Sequence, residues 1–373
     1  MAMKHFCMPA DFRKETIDAY ARLNEQYPEC AVVETYGNVT VENCFGSGRD
    51  LDKLPEVDLE TLADYAAYSR SKGIEFAYTI NAPYMQNREF TPEGVAEIRR
   101  FLGKLHDAGI RCLIIAMPSL MEVVLRSGYE FEIKASVIAQ ITNPNKAMMF
   151  KKLGVSRLTV DESITREFSR LRHIKETFHG PVEIIVNSIC LQDCHFRPFH
   201  YNQISGDSVD RANPVSCNYF TGRCMKRLFD DLSNYFKASW IRPEDLHYYT
   251  DAGIEHFKIQ GRQSVLNGDP VRAVECYFNE RYDGDLTDLM FLFSPREFFP
   301  FKVDNRALDG FLKPFTRSDD FCPRDCTRCD YCEKYARRIF GDQNPEQVVA
   351  MIREKIGASD PFTKMMSSAG EGE

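Results

Sequence analysis

The residues best placed to do chemistry in this chain are eight of its 13 cysteines, which fall into two tight groups. The first is Cys190 and Cys194, in NSICLQDCHFRPFHYNQIS (187–205), with Cys217 and Cys224, in SCNYFTGRC. Four thiolates with little carboxylate among them suit a soft metal, either an iron–sulfur cluster or zinc. Six residues separate Cys217 from Cys224, wider than the usual pairs of structural zinc sites, and this favours a cluster reached by separate loops. Buried or redox cysteines are the plain alternative. The same loop carries His195, Arg197, His200 and Asn202. Arg197 suits two-pronged binding of a carboxylate or a salt bridge at the rim, and His200 suits acid–base work or packing.

The second group, Cys322, Cys326, Cys329 and Cys332, lies within CPRDCTRCDYCEKYA. Such density signals metal, because packing alone rarely requires it. Its first three members have a C-x₃-C-x₂-C spacing that resembles radical S-adenosylmethionine enzymes. The triad, however, follows the apparent barrel and a fourth cysteine closes the set, so a closed iron–sulfur cluster or a zinc knuckle is expected, for electron relay or folding support. Further polar residues fall near expected strand ends: Glu34, Asn81, Lys134, Asp161, Glu162 and Asn187. Lys258 and Arg262, in HFKIQGR, join them, and alternation puts His256, Lys258 and Gln260 on one side of a late strand. A substrate or cluster-environment role is expected for Lys258 and Arg262, against a plain salt bridge to rim carboxylates.

These side chains need elements to hold them. Short β-branched runs at 30–36, 75–80, 111–117, 132–138, 156–160, 182–186, 236–241 and 256–259 alternate with helical patterns near 13–26, 59–72, 92–109, 118–127, 144–152 and 164–178. Thr91 is a candidate cap before Pro92 and Glu93, and Gly73 and Gly109 sit where helices should end. The alternation fits a TIM-like (β/α) barrel, with a doubly wound open sheet as the competing architecture. Neither G-x-G-x-x-G nor the phosphate-loop motif supports the open sheet. The expected division is a barrel-like catalytic domain at 1–280 and a smaller cysteine-rich extension at 281–373.

With 373 residues, 43% hydrophobic and 27% charged, the chain is neither disordered nor of low complexity. A formal charge of -8 does not favour a broad nucleic-acid grip. The odd cysteine count precludes complete internal pairing, and no run approaches the ~20 apolar residues that span a bilayer. Without a signal-peptide pattern at the start, a soluble cytoplasmic protein with no membrane contact is expected.

The C-x₃-C loop, the FTGRC element ending at Cys224 and the FKIQGR element at 257–262 together resemble the collagenase-like peptidase family U thirty-two, over about residues 1–280. The resemblance, to its iron–sulfur members especially, implies a barrel and a four-iron four-sulfur cluster held by Cys190, Cys194, Cys217 and Cys224. It also implies oxygen-independent hydroxylation, or a related modification of a small molecule or RNA. The second cysteine group, as a second four-iron cluster or zinc, and Asn218–Thr221 depart from the family pattern. An iron–sulfur oxidoreductase is therefore expected, with Arg197, His200, Lys258 and Arg262 serving the reaction and an electron donor or homologous protein as partner. The alternatives are a cysteine or metal-dependent peptidase and a metal-stabilised interaction protein. Neither H-E-x-x-H nor G-x-S-x-G is present. Cys194 with His200 is a conceivable dyad only if the thiolate is free of metal.

Overall fold

A computed structural model of the protein describes residues 3–209, 219–296 and 299–358, together with Phe362, Met365 and Met366. Eight parallel strands close into a barrel: β1 (Lys4–Pro9), β2 (Cys30–Gly37), β3 (Glu75–Ile80), β4 (Cys112–Ile115), β5 (Glu132–Ala135), β6 (Arg157–Thr159), β7 (Val182–Ile185) and, after two strands outside it, β10 (His256–Lys258). β8 (Asn187–Leu191) and β9 (Ala238–Trp240) form a separate antiparallel pair. Because β1 pairs with both β2 and β10, no edge remains and the open-sheet alternative is excluded. The fold is a TIM-like (β/α)₈ barrel, with helices around the strands.

Most helices lie where periodicity places them: α1 (Lys14–Gln26), α2 (Leu59–Ser71), α3 (Pro92–Asp107), α4 (Pro118–Leu125), α5 (Pro144–Lys152) and α6 (Phe168–Phe178). Thr91 caps α3, its hydroxyl accepting from the Gly94 N–H at 3.1 Å. Gly73 and Gly109 have φ of 75° and 80°, the left-handed geometry that ends α2 and α3. Thr91 is exposed. Replacing it with alanine should therefore cost only the cap, about 1 kcal/mol in urea unfolding, with the slope of the transition unchanged.

Two parts of the fold differ from expectation. The run KHFCMP carries no β-branched residue and does not read as a strand, yet it is β1, with Phe6 and Met8 buried against the helices and Cys7 turned into the barrel. The 236–241 run is a strand, but β9 pairs with β8 outside the barrel. The chain between β7 and the late helix α9 (Leu246–Asp251) is thus an insertion, which also holds α7 (Arg197–Val209) and α8 (Tyr219–Asp230). α10 (Pro270–Phe278) follows β10 and completes the eighth unit.

The later chain packs on this insertion. Phe299, in the aromatic stretch at 291–303, stacks on Tyr235 at 5.1 Å, while Phe311 meets Trp240 at 5.2 Å and Tyr335 at 4.9 Å. Buried Arg166 lies 4.9 Å from both the Trp240 and Phe311 rings and donates to the carbonyls of Phe236 and Ala238 at 2.6 and 2.7 Å. Among the described residues, no helix is long and apolar enough to cross a membrane.

Candidate functional site at the mouth of the barrel

Strand register decides what the barrel interior contains. Cys7 pairs with Glu34 on one side and Lys258 on the other, and Lys258 pairs with Ile185. Deep in the barrel Lys134 Nζ donates to Glu34 Oε1 at 2.8 Å and to Glu183 Oε2 at 2.5 Å. Arg157 meets the other Glu34 oxygen at 2.6 Å, Cys7 Sγ donates to Glu34 Oε1 at 2.9 Å, and Thr159 donates to Glu183 at 2.8 Å. Burial works against charge on Glu34, but Lys134 and Arg157 outweigh it and hold its pKa well below the usual carboxylate range. Burial likewise disfavours the Lys134 ammonium, and its acidic neighbours overcome this and raise its pKa. Glu34 and Lys134, expected at the rim, are instead mid-strand residues of this closed network.

The donor atoms of Cys7, Glu34 and Glu183 lie within 4.8 Å of one another, a compact three-donor set of the kind that can hold a metal ion. Lys134 already sits on both carboxylates, with Arg157 behind it. A divalent ion would have to displace the ammonium, so the set fits the cation it has better than an added metal.

Above this network Lys258 faces the mouth. Its Nζ lies 3.7 Å over the Tyr36 ring and 3.9 Å from the nearest Glu183 oxygen, and burial lowers its pKa. Two guanidinium groups follow. Arg262 donates to the Asn38 side-chain oxygen and, at 3.4 Å, to that of Asn81. Arg49 donates to the Gly48 carbonyl at 2.9 Å and to Gln260 Oε1 at 3.3 Å. Lys258, Gln260 and Arg262 line one cavity with Tyr36, Arg49 and Thr79.

The insertion brings the other expected residues to the rim. Arg197, at the start of α7, is buried and pairs with Asp161 at 2.8 Å and Glu162 at 3.7 Å, the salt-bridge role. His200, one turn on, has ring contacts with Tyr201 at 6.2 Å and Phe220 at 6.0 Å. Burial, with Arg49 nearby, pushes its pKa down to about 4, so it is neutral at physiological pH. The cysteines and the Arg-Pro step make this segment read as a loop, yet Arg197 and His200 lie on the helix α7. Burial, with Glu162 adding, raises the pKa of the Cys190 thiol, and burial with Cys194 nearby pushes Cys224 up to about 11. Cys217 lies outside the described residues.

The second cysteine group is close to the first. Arg324, between Cys322 and Cys326, reaches Asp193 at 2.9 Å and also Glu167, tying this loop to the one that carries Cys194. Cys322, Cys326, Cys329 and Cys332 line a cavity of about 790 Å³ with Arg166, Lys237 and other residues of the barrel side. Sequence reasoning missed Arg49, which lies in the irregular NCFGSGRD turn, and Tyr36, which was findable as the residue two beyond Glu34 on the same strand face.

A closed parallel barrel whose C-terminal mouth gathers cationic side chains belongs to the class of βα-barrel proteins that work at that end of their strands. Within that class, residues 53–280 match peptidase family U32, and the chain belongs to this family. It is 31% identical over 296 residues to the uncharacterized protease MJ1657 of Methanocaldococcus jannaschii, covering 79% of this chain and 85% of that protein. It is also similar to the solved U32 peptidase Mk0906, at 16% identity and a TM-score of 0.49, covering 69% of this chain and 92% of that one.

These findings correct the expectation of an iron–sulfur oxidoreductase engaged in oxygen-independent hydroxylation. The family is a peptidase family, and the matching relative is named a protease. The compact donor set among the described residues is Cys7, Glu34 and Glu183, which belongs to neither cysteine group. Cysteine clustering along the chain suited a redox cofactor, but spacing alone does not separate redox chemistry from a thiolate site that supports a fold.

Proposed function

We propose that the protein is a peptidase that hydrolyses its substrate at the barrel mouth, with Lys258 as general base. The observation that carries this reading is the contrast between two buried lysines. Lys134 touches two carboxylates at hydrogen-bond distance and is held as an ammonium, whereas Lys258 has its nearest carboxylate at 3.9 Å and a lowered pKa. An amine of lowered pKa at a rim is suited to take a proton. Water attacks the scissile carbonyl carbon while Lys258 takes the water's proton. The carbonyl electrons move to oxygen, where the positive mouth stabilises the oxyanion. Collapse breaks the C–N bond, and the proton passes from Lys258 to the leaving amine. A cysteine nucleophile is disfavoured because Cys190 and Cys224 belong to the set assigned below to a metal, and a thiolate bound to metal is not free to attack a carbonyl.

The test is incubation of the purified protein with a defined peptide mixture, with products read by mass spectrometry. Cleavage that persists after alkylation of the accessible thiols, with bound metal left in place and the fold intact by circular dichroism, is expected. Loss of cleavage on alkylation alone, with the fold intact, would overturn the lysine-base reading.

For the cysteines we infer a structural soft-metal role. Cys322, Cys326, Cys329 and Cys332 face one cavity, and the pKa of Cys332, raised first by burial, is raised further by Cys322 and Cys326. Four thiols beside Arg166 and Lys237 suit a soft metal that needs thiolates. Cys190, Cys194 and Cys224, with Cys217, are proposed as a second such set. Elemental analysis should find bound metal and distinguish zinc from iron. Cys326→Ser should lower the metal content and Cys276→Ser should leave it unchanged; equal content in both would exclude the site.

A further inference from the structure

The other buried or half-buried arginines named above, with Arg242, show what the mouth lacks. Arg157 pairs with Glu34 and Glu132, Arg197 with Asp161 and Glu162, and Arg242 with Asp309 and Glu244. Arg166 lies in an aromatic cage against two carbonyls. Arg262 is 5% exposed and meets only the neutral amide oxygens of Asn38 and Asn81. Arg49, half-buried beside it, meets a carbonyl and the Gln260 amide oxygen. Among the described residues neither has a carboxylate within salt-bridge distance, and the cavity they share with Lys258 is lined by no aspartate or glutamate.

Arg262 is a desolvated cation with no counter-charge, and Arg49, whose more distant charged neighbours include Glu162, has none in contact; such groups are costly in a folded protein unless something anionic completes them. A second, independent observation points the same way. The Thr79 hydroxyl, in a side chain 3% exposed, lines the same cavity and has no hydrogen-bond partner. A buried hydroxyl of this kind is a donor awaiting an acceptor. Burial and the nearby Arg49 charge also lower the Arg262 pKa to about 10, as expected for a cation that lacks its anion.

The shape of the mouth limits the size of that anion. The segment leading to Arg49 is strapped beneath α7, where the Ser47 N–H donates to Ser208 Oγ at 2.7 Å and Arg49 lies 5.9 Å from the Tyr201 ring centre. The enclosed space is about 30 Å³, room for one small group beyond a water and not for a folded chain. A planar carboxylate matches guanidinium donors in this setting.

We propose that Arg49 and Arg262, with the Thr79 hydroxyl, bind the terminal α-carboxylate of a short peptide, so that the enzyme works from the carboxyl end of its substrate. This rests on the peptidase reading above and adds the substrate class to it. The carboxylate fills the space between the two guanidinium groups and Lys258, and the peptide's last bond lies at the edge of that space. Internal segments of a long chain, which carry no such group and need more room, are excluded.

The experiment compares matched short peptides ending in a free acid or an amide, with the full chain and with its Arg49→Gln and Arg262→Gln variants. Cleavage and equilibrium binding are both measured. The acid should be favoured over the amide by ~100-fold in kcat/KM, in line with the loss of paired charge-assisted hydrogen bonds. That preference should collapse to within ~3-fold in each variant, and Arg49→Gln serves as the milder change should Arg262→Gln fold poorly. Equal cleavage of acid and amide by the unaltered protein overturns the carboxylate site and leaves the peptidase reading standing. Arginine-dependent binding of the acid without cleavage of either peptide supports the site and overturns the peptidase reading. Inorganic phosphate binding more tightly than the acid peptide, through the same arginines, would overturn carboxylate as the occupant.

Discussion

Lys134→Met is expected to lower the unfolding free energy by about 3–5 kcal/mol, the scale for breaking a buried ion pair by removing one partner. The substitution keeps much of the side-chain volume, so the loss is electrostatic. Glu34 retains Arg157 at 2.6 Å, but Glu183 is left with the Thr159 hydroxyl and the more distant Lys258. Adding Glu183→Gln should therefore recover part of the loss, a coupling that a double-mutant cycle in denaturant measures. A single variant as stable as the unaltered protein would show that the network contributes nothing. The pH dependence follows from the same contacts. The Glu34 and Glu183 pKa values are depressed, so their stabilisation is present above the unfolded value of ~4.3 and is lost as pH falls through their lower folded values. Lys134 has a raised pKa, so its contribution is complete below ~10.4 and disappears only as pH rises through the higher folded value. The protein should lose stability in acid well before this network fails in alkali.

That network also marks how far the amino-acid sequence can be read. Alternating β runs and helical periods place β2 to β7 and α1 to α6 to within a few residues, because burial on both faces of a barrel strand leaves a continuous apolar signal. β1 escapes because KHFCMP mixes inward and outward demands in six residues and has no β-branched side chain. Glu34 and Lys134 are visible as polar residues in apolar runs. Whether they face each other or line a rim depends on register across strands a hundred residues apart, which no local pattern carries. Lys258 and Arg262 are legible from alternation in HFKIQGR, and both do lie at the mouth. Arg49 is not, since an irregular turn has no period and is held at the mouth by contacts with α7 and with Asn81 and Gln260. The cysteine spacing reads clearly as thiolate chemistry, yet the same spacing serves a reaction and a structural metal equally, and the family match redirects it.

Lys258→Met should leave the protein folded and reduce kcat by ~100- to 10,000-fold, the range for losing a positioned general base, with KM little changed. Lys258→Arg should be no better, because it restores the charge with a group that cannot give up its proton near neutrality. In the unaltered protein the rate should rise with pH through the lowered pKa of Lys258, below the ordinary 10.5, as the ammonium becomes the working amine. Stability has the opposite sign from that at Lys134. A lysine whose folded pKa lies below its unfolded one is a burden while charged, and stability rises with pH between the two values, where the unfolded chain binds more protons. Removing that charge relieves the burden, and Glu183 keeps Lys134 at 2.5 Å. The same Lys→Met change at two positions in one barrel should therefore separate cleanly. At 134 it unfolds the protein more readily, and at 258 it leaves stability equal or higher while activity falls. A Lys258→Met protein that is as unstable as Lys134→Met would make Lys258 one more member of the interior network, and the base would have to be sought elsewhere at the mouth.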